Sequence, residues 1–401
     1  MFANTEEAVR WISSRKKTDY SFEHFKEVCR SLGDPQNDLY IIHVAGTNGK
    51  GSTVNYLADL LMSQGFKVGT ITSPQYLTYL DRIRVNGKNI DGASFLEIIN
   101  ENYSMFIENG LSMYEMDYLI MCSYFRKENV DIAIVETGIG GRYDPTNVSD
   151  HTELSIITSI GYDHTELLGD TLEKICHDKC GIIKEGSDVL CGKLSEACLE
   201  VVRQEAVKKS AHLYVLDDCE LLTERCFRFH EREYALTSFA SYQVHNASLA
   251  IYAMELTMNK KGLEINYDDA REALKKSLWH LRFEIVKENP RIILDGAHNT
   301  HGIAAMLESF DRFSGSKCII FSALKRKEYR KMAQMLSEHC DMLIITSFEN
   351  SEAIDLKEMA DYELAEDYRE AIEAAVKSFD NVLICGSLYF LSDVVLHVKF
   401  E

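Results

Sequence analysis

Apolar residues recur every third or fourth position over residues 5–16 and 22–32. This predicts two short opening helices, with Ala8, Val9, Trp11 and Ile12 on one face of the first. The period then changes. Tyr40, Ile41, Ile42 and Val44 form a β-branched run of the kind buried on both faces of a parallel sheet. It breaks at Gly46 into Thr47-Asn48-Gly49-Lys50-Gly51-Ser52, and an amphipathic helix is expected from about Thr53 to Gln64. Further strands are predicted over residues 66–72, 131–135, 154–160 and 189–191. Helices are expected over 94–108, 114–128, 171–180, 195–209, 242–259 and 267–277, with a β-rich stretch over 213–234. After Trp279-His280-Leu281-Arg282-Phe283-Glu284 the alternation restarts. Strands are expected over 292–294, 318–321, 342–345 and 382–385, and helices from Gly302, after Lys327, over 365–378 and from Leu388. The pattern therefore predicts an α/β protein of two domains, residues 1–284 and 285–401, each with a mostly parallel sheet.

Strand, glycine-rich turn, lysine, hydroxyl and helix is a phosphate-binding arrangement. Backbone N–H groups of Gly46, Thr47, Asn48, Gly49, Gly51 and Ser52 can turn toward phosphate oxygens, Lys50 adds a cation, and the helix start adds partial positive charge. The spelling departs from GxxxxGK[ST], because Val44 stands at the first glycine and Gly51 follows the lysine. An ordinary strand-to-helix turn is the plainer alternative. Glu136 ends an apolar strand, where a nucleotide-binding protein of this kind places a metal-binding carboxylate. Ser73 and His164 follow two other strands, so all three are expected on one sheet edge beside Lys50, where they can hold Mg²⁺ on ATP oxygens.

The spelling GTNGKGS resembles the loop of the Mur ligase superfamily, and specifically of the folylpolyglutamate synthase/dihydrofolate synthase family. The resemblance extends through Ser159–Lys184, through Gln243 and Asn246, and through Asp295-Gly296-Ala297-His298-Asn299. It implies a Mur-ligase-like ATPase domain followed by a smaller Rossmann-like ligase domain. It also implies ATP and two Mg²⁺ ions as cofactors, Ser73, Glu136 and His164 as magnesium ligands, and Lys179 carried as a carbamate. Read without the resemblance, Lys179 is a helix-face lysine. By the same resemblance Asn246 approaches adenine and Arg282 the ATP phosphates. Lys50, Lys179, Asp295 and His298 are then the catalytic set, Asp295 also facing the nucleotide, and Tyr114, Glu115, Arg142 and Asp144 contact the acceptor. The implied activity is amide formation between L-glutamate and a folate or dihydropteroate through an acyl phosphate. Departures cluster on the acceptor side, at Gln75-Tyr76, Tyr114, Tyr143 and Pro145. Two other readings therefore stay open, a Mur-type ligase acting on a non-folate acid and an inactive nucleotide-binding paralogue.

Charge and cysteines narrow the partners. The chain carries 43 Lys+Arg against 63 Asp+Glu, a formal charge of −20. Nucleic acid and anionic membranes favour basic surfaces, so neither is expected as a partner. Small-molecule substrates and a monomer are expected instead. Eleven scattered cysteines without a CxxC pair suggest reduced thiols, and Cys176 and Cys180, one helical turn apart, read as buried rather than metal-binding. The N-terminus reads as an amphipathic helix, not a signal peptide, and the expected location is the cytoplasm.

Overall fold

In the computed structural model, which describes residues 1–15 and 21–400, the apolar run ahead of the glycine loop is β1, Ile41–Ala45, buried at every residue. It is the central strand of an eight-stranded sheet. The others are β2 (Val68–Ile71), β3 (Ile83–Val85), β4 (Lys88–Asn89), β5 (Ile132–Glu136), β6 (Leu154–Ile157), β7 (Asp188–Cys191) and β8 (His212–Val215). Their order is β4-β3-β2-β5-β1-β6-β7-β8, parallel except where β3 meets β2 and β4. The chain leaves β1 toward β2 on one side and later reaches β6 on the other. In open α/β sheets such a reversal places the ligand crevice at the carboxyl ends of the strands. Register fixes who meets there: Val44 pairs with Glu136, and Ala45 with Ile157.

The helix after the loop is Lys50–Ser63, three residues earlier than the pattern predicts. Gly49 makes the turn alone at φ +84°, a left-handed conformation that glycine adopts without penalty, so helical geometry starts at once. Low propensity at Gly51 and Ser52 hid that start. The helix expected over 94–108 is two, Gly92–Glu101 and Tyr103–Glu108, divided at Asn102, whose side-chain amide donates back to the Ile98 carbonyl. The first helix spans Thr5–Ser13; Lys16, the end of its expected range, lies outside the described residues.

A three-stranded antiparallel sheet follows, β9 (Glu220–Leu221), β10 (Cys226–Phe229) and β11 (Arg232–Ala235). The remaining sheet has six strands, β12 (Glu284–Glu288), β13 (Arg291–Asp295), β14 (Lys317–Phe321), β15 (Met342–Thr346), β16 (Glu363–Ala365) and β17 (Asn381–Cys385). Its order is β12-β13-β17-β14-β15-β16, with β12 alone antiparallel. β12 and β16 were not anticipated: both are edge strands of mixed polarity without an apolar run, and β16 takes the start of a helix expected over 365–378, which instead spans Tyr368–Ser378.

By contacts the chain divides into two compact units that interleave in sequence. The first is Met1–Asp218 with Asn246–Leu274, and the second is Cys219–His245 with Lys275–Glu401. The single cut expected after residue 284 assigns 219–245 and 275–284 differently. The second unit has its own core, with Ile293, Phe310, Phe321 and Leu383 fully buried. Among the described residues no helix is long and apolar enough to cross a membrane. All eleven cysteines are free, and Cys176 and Cys180 are buried with their sulfurs 4.0 Å apart.

Packing on the far face of the first sheet is tight at Gly69 in β2, where an added Cβ would lie 2.7 Å from the Phe125 ring. Gly69→Ala should therefore destabilise the protein by about 1–3 kcal/mol through overpacking. Urea unfolding of the two proteins measures the difference, and equal midpoints would show that the ring yields.

Candidate active site

The glycine loop is held from the side of β6. Thr47 N–H donates to the Ser159 carbonyl at 2.7 Å, Asn48 N–H to Ser159 Oγ at 3.1 Å, and Thr158 Oγ1 to the Asn48 carbonyl at 2.6 Å. Thr47 Oγ1 also exchanges hydrogen bonds with the backbone of Gly161. These contacts occupy the Thr47 and Asn48 amides and set the turn. The first turn of the Lys50–Ser63 helix, with Gly51 and Ser52, has no side-chain cap, which leaves its leading N–H groups oriented as an anion site. Asn246 closes over Gly49, where a Cβ would lie 2.3 Å from the amide oxygen.

Two lysines converge on one carbonyl. Lys50 Nζ donates to Gly46 O at 3.1 Å and Thr47 O at 3.4 Å, and Lys179 Nζ donates to Gly46 O at 2.9 Å. Lys179 is 4% exposed. Desolvation, then repulsion from Lys50, pushes its amine down to about 7. Its burial comes from the Gly138–Arg142 turn, which docks on the end of the Leu172–Lys179 helix. Gly141 N–H donates to Asp178 Oδ1 and Arg142 N–H to Asp178 O, each at 2.9 Å. A Cβ on Gly141 would lie 2.6 Å from the Lys179 carbonyl, so only glycine permits this approach.

Glu136 ends β5 as expected and is buried. Ser73 N–H donates to its Oε2 at 3.3 Å, and the Tyr114 hydroxyl to its carbonyl at 2.9 Å. His164 lies well beyond the end of β6, in a left-handed conformation at the start of helix Thr165–Leu168, 3.8 Å from the carboxylates of Asp163 and Glu166. Among the described residues no three His, Cys, Asp or Glu side chains are grouped to hold a metal.

The four residues expected to meet the acceptor divide by role. Tyr114 lies beside Glu136, with the Arg82 guanidinium 5.7 Å from its ring centre. Arg82 is itself buried, paired with Asp117 at 3.0 Å and donating to Gln75 Oε1 at 2.8 Å. Glu115, by contrast, is buried in a capping box with Ser112, its Oε2 accepting the Ser112 N–H at 2.6 Å. Asp144 is internal too: it accepts Gly138 N–H and Ile139 N–H on one oxygen and the Thr146 N–H and hydroxyl on the other. Arg142 turns its guanidinium toward Glu205 at 3.3 Å and the His177 carbonyl at 3.1 Å.

In the second unit, Asp295 ends β13 and is buried. It accepts the Tyr242 hydroxyl and the Phe283 N–H (2.9 Å) on Oδ2, and the Ala297 N–H (2.7 Å) on Oδ1. Burial pushes its carboxyl up, opposed by Tyr242 and Arg282. His298 Nδ1 is 2.9 Å from the Gly296 carbonyl, an acceptor only, so Nδ1 carries the hydrogen and Nε2 faces away from that bond. Leu281 and Phe283, either side of Arg282, are buried at φ +59° and +52°; such strain costs about 1–3 kcal/mol per residue and persists where surrounding structure enforces it.

Comparison with known proteins gives the family. The Mur ligase middle domain family matches residues 44–259, and the Mur ligase, glutamate ligase domain family matches residues 281–388. The dihydrofolate synthase/folylpolyglutamate synthase of Bacillus subtilis is 35% identical, with all of both chains covered. The chain belongs to the dihydrofolate synthase/folylpolyglutamate synthase family. The apo form of the Lacticaseibacillus casei FPGS (L. casei) superposes with a TM-score of 0.86 at 27% identity, covering 98% of each chain. An FPGS–AMPPCP–folate complex gives the same score and identity over 98% of this chain and 100% of that one.

This member of the family also contains site-building residues that sequence reading passed over, namely Thr158, Asp178, Arg82 and His43. His43 lies in β1, ahead of the glycine loop, and its Nε2 is 2.8 Å from Thr146 Oγ1. The Thr146 hydrogen goes to Asp144, so His43 Nε2 donates and the ring is neutral. Burial pushes its titration down to about 3. An unfolded histidine titrates near 6.5, so between those values the unfolded chain binds the extra proton and stability falls as pH falls. The contribution is at most about 1.4 kcal/mol per pH unit. His43→Gln should flatten the loss of unfolding free energy between pH 6.5 and 4.5; an unchanged slope would assign that loss to other groups.

Proposed function

We infer that this chain is an ATP-dependent ligase that joins L-glutamate to a folate-type carboxylic acid. The observation that carries the reading is the convergence of Lys50 and Lys179 on Gly46 O, at the mouth of an uncapped helix and beside the Glu136 strand end. Lys50 and the leading helix N–H groups thereby offer positive charge to phosphate oxygens in a chain of net charge −20, with Lys179 packed against the same loop.

The acceptor carboxylate attacks the γ-phosphorus of ATP. A carboxyl-oxygen–phosphorus bond forms, the bond to the β-phosphate oxygen breaks, and ADP leaves. The glutamate α-amine, after losing a proton, then attacks the acyl carbon and phosphate departs with its electron pair. Lys50 and the helix N-terminus neutralise the transferring phosphoryl group, and Arg282 supplies a further cation. Asn246 and the Gly46–Ser52 loop bind the nucleotide. His298, anchored through Nδ1, receives the amine proton at Nε2, while Asp295 holds the backbone around it. Tyr114 and the 138–146 turn form the acceptor side, Glu115 and Asp144 shaping it from within and Arg142 anchoring it to Glu205.

Ser73, Glu136 and His164 would hold Mg²⁺. The fit is reasonable because this ion needs only one or two carboxylates beside water and phosphate oxygens, and one buried carboxylate is present at Glu136, next in space to the Ser73 backbone. Magnesium would supply charge neutralisation on ATP. Lys179 suits a carbamate, since an amine titrating near 7 is partly neutral at physiological pH and able to add carbon dioxide.

ADP release with Mg-ATP and L-glutamate should require dihydropteroate or tetrahydrofolate, and Lys50→Ala should lower kcat by about 100-fold or more. Release with neither acceptor would reject the folate reading. In ¹³C-bicarbonate, wild type should show a carbamate carbon resonance that Lys179→Ala lacks; identical spectra would remove the carbamate.

A further inference from the structure

The strained linker around Arg282 is anchored by two carboxylates, Glu284 on the Leu281 side and Asp295 on the Phe283 side. Leu281 and Phe283 both hold left-handed backbone conformations that bulky residues avoid. Leu281 is tied down through both its N–H and its carbonyl, and Phe283 through its N–H. Leu281 N–H donates to Glu284 Oε2 at 2.9 Å, Leu281 O accepts Gly296 N–H at 2.8 Å, and Phe283 N–H donates to Asp295 Oδ2 at 2.9 Å. The Tyr242 hydroxyl donates to that same Oδ2, and Ala297 N–H to the other oxygen. One buried carboxylate therefore gathers the linker, the turn that carries His298 and the start of the Ser241–Lys260 helix. Among the described residues three donors bond to it, which suits the ionised form and opposes the upward push of burial. Gly296 is pressed against the linker as well, since a Cβ there would lie 2.2 Å from Arg282 Nη1. A sharp reversal into β12 would need no such network, because Leu281 and Phe283 could be replaced there by glycine.

We propose that Tyr242 is a positioning residue of the ligase: through the Asp295 carboxylate it holds the Leu281–Phe283 turn and thereby fixes the Arg282 guanidinium. The proposal rests on the reading above, that Arg282 serves the phosphates of ATP. Tyr242 packs its ring against the core of the second unit, and a phenylalanine fills that space, so the hydroxyl can be removed with the packing kept.

The test is Tyr242→Phe in the full chain, read by steady-state kinetics and by hydrogen–deuterium exchange of the 281–284 segment. Losing one charge-assisted hydrogen bond should lower kcat about tenfold and raise KM for ATP several-fold, with KM for L-glutamate and for the acceptor unchanged within about twofold. Exchange at Phe283 should quicken by about tenfold. Arg282→Lys should cost markedly less in the Tyr242→Phe background than in wild type, because the two act as a unit. Asp295→Asn should show the same ATP-directed split, and it serves as the second variant if Tyr242→Phe does not fold. Wild-type kinetics with unchanged exchange, or losses that multiply across the two sites, would overturn the proposal. A wild-type protein with no acceptor-dependent ADP release would instead overturn the ligase reading, and the exchange experiment would still judge the turn.

Discussion

Two positive side chains on one carbonyl oxygen set the terms for everything around the glycine loop. Lys50 and Lys179 repel each other, and the buried member feels it in a lowered affinity for its proton. Such a pair holds only where other contacts fix both backbones. Here the fixing comes from three sides: the β1–β6 register, the hydroxyls of Thr158 and Ser159, and the Gly141 turn pressed on the helix that ends at Lys179. Negative charge placed against the loop would relieve that repulsion.

The two compact units solve a similar problem in the same way. In the first, Asp144 draws in four donors and shapes the turn that buries Lys179. In the second, Asp295 draws in three and shapes the turn that carries Arg282. Each is a buried carboxylate whose cost of desolvation is offset by hydrogen bonds from backbone amides and a hydroxyl. In both units a buried carboxylate thus fixes the turn that lies next to a cationic side chain.

Much of this was legible before any coordinates. The β1 run, the glycine loop, Glu136 at a strand end and the restart of alternation near residue 291 all follow from apolar period and punctuation. The start of the Lys50–Ser63 helix was not, because propensity disfavours Gly51 and only the conformation of Gly49 reveals that the turn is already complete. β12 and β16 were missed because edge strands need no apolar stripe. Asp144, Glu115 and Asp295 were placed at the site, yet sequence gives no sign of whether a loop carboxylate faces outward or gathers its own backbone. That depends on burial, which is decided by distant segments. Lys179 shows the same limit: its helix face looks solvated until Gly141 closes over it.

The interleaving of the two units bears on how the protein can be divided. A piece that begins at residue 285 would keep Asp295 and Ala297 but lose Phe283 N–H and the Tyr242 hydroxyl, two of the three donors on that carboxylate. It would also lose Phe239 and Phe283, which lie against Phe313 in the core of the six-stranded unit. The C-terminal segment from residue 285 is therefore not a module that can be lifted out at the end of the linker. The six-stranded unit completes its core with residues 219–245, which lie before the intervening stretch of the first unit in the chain.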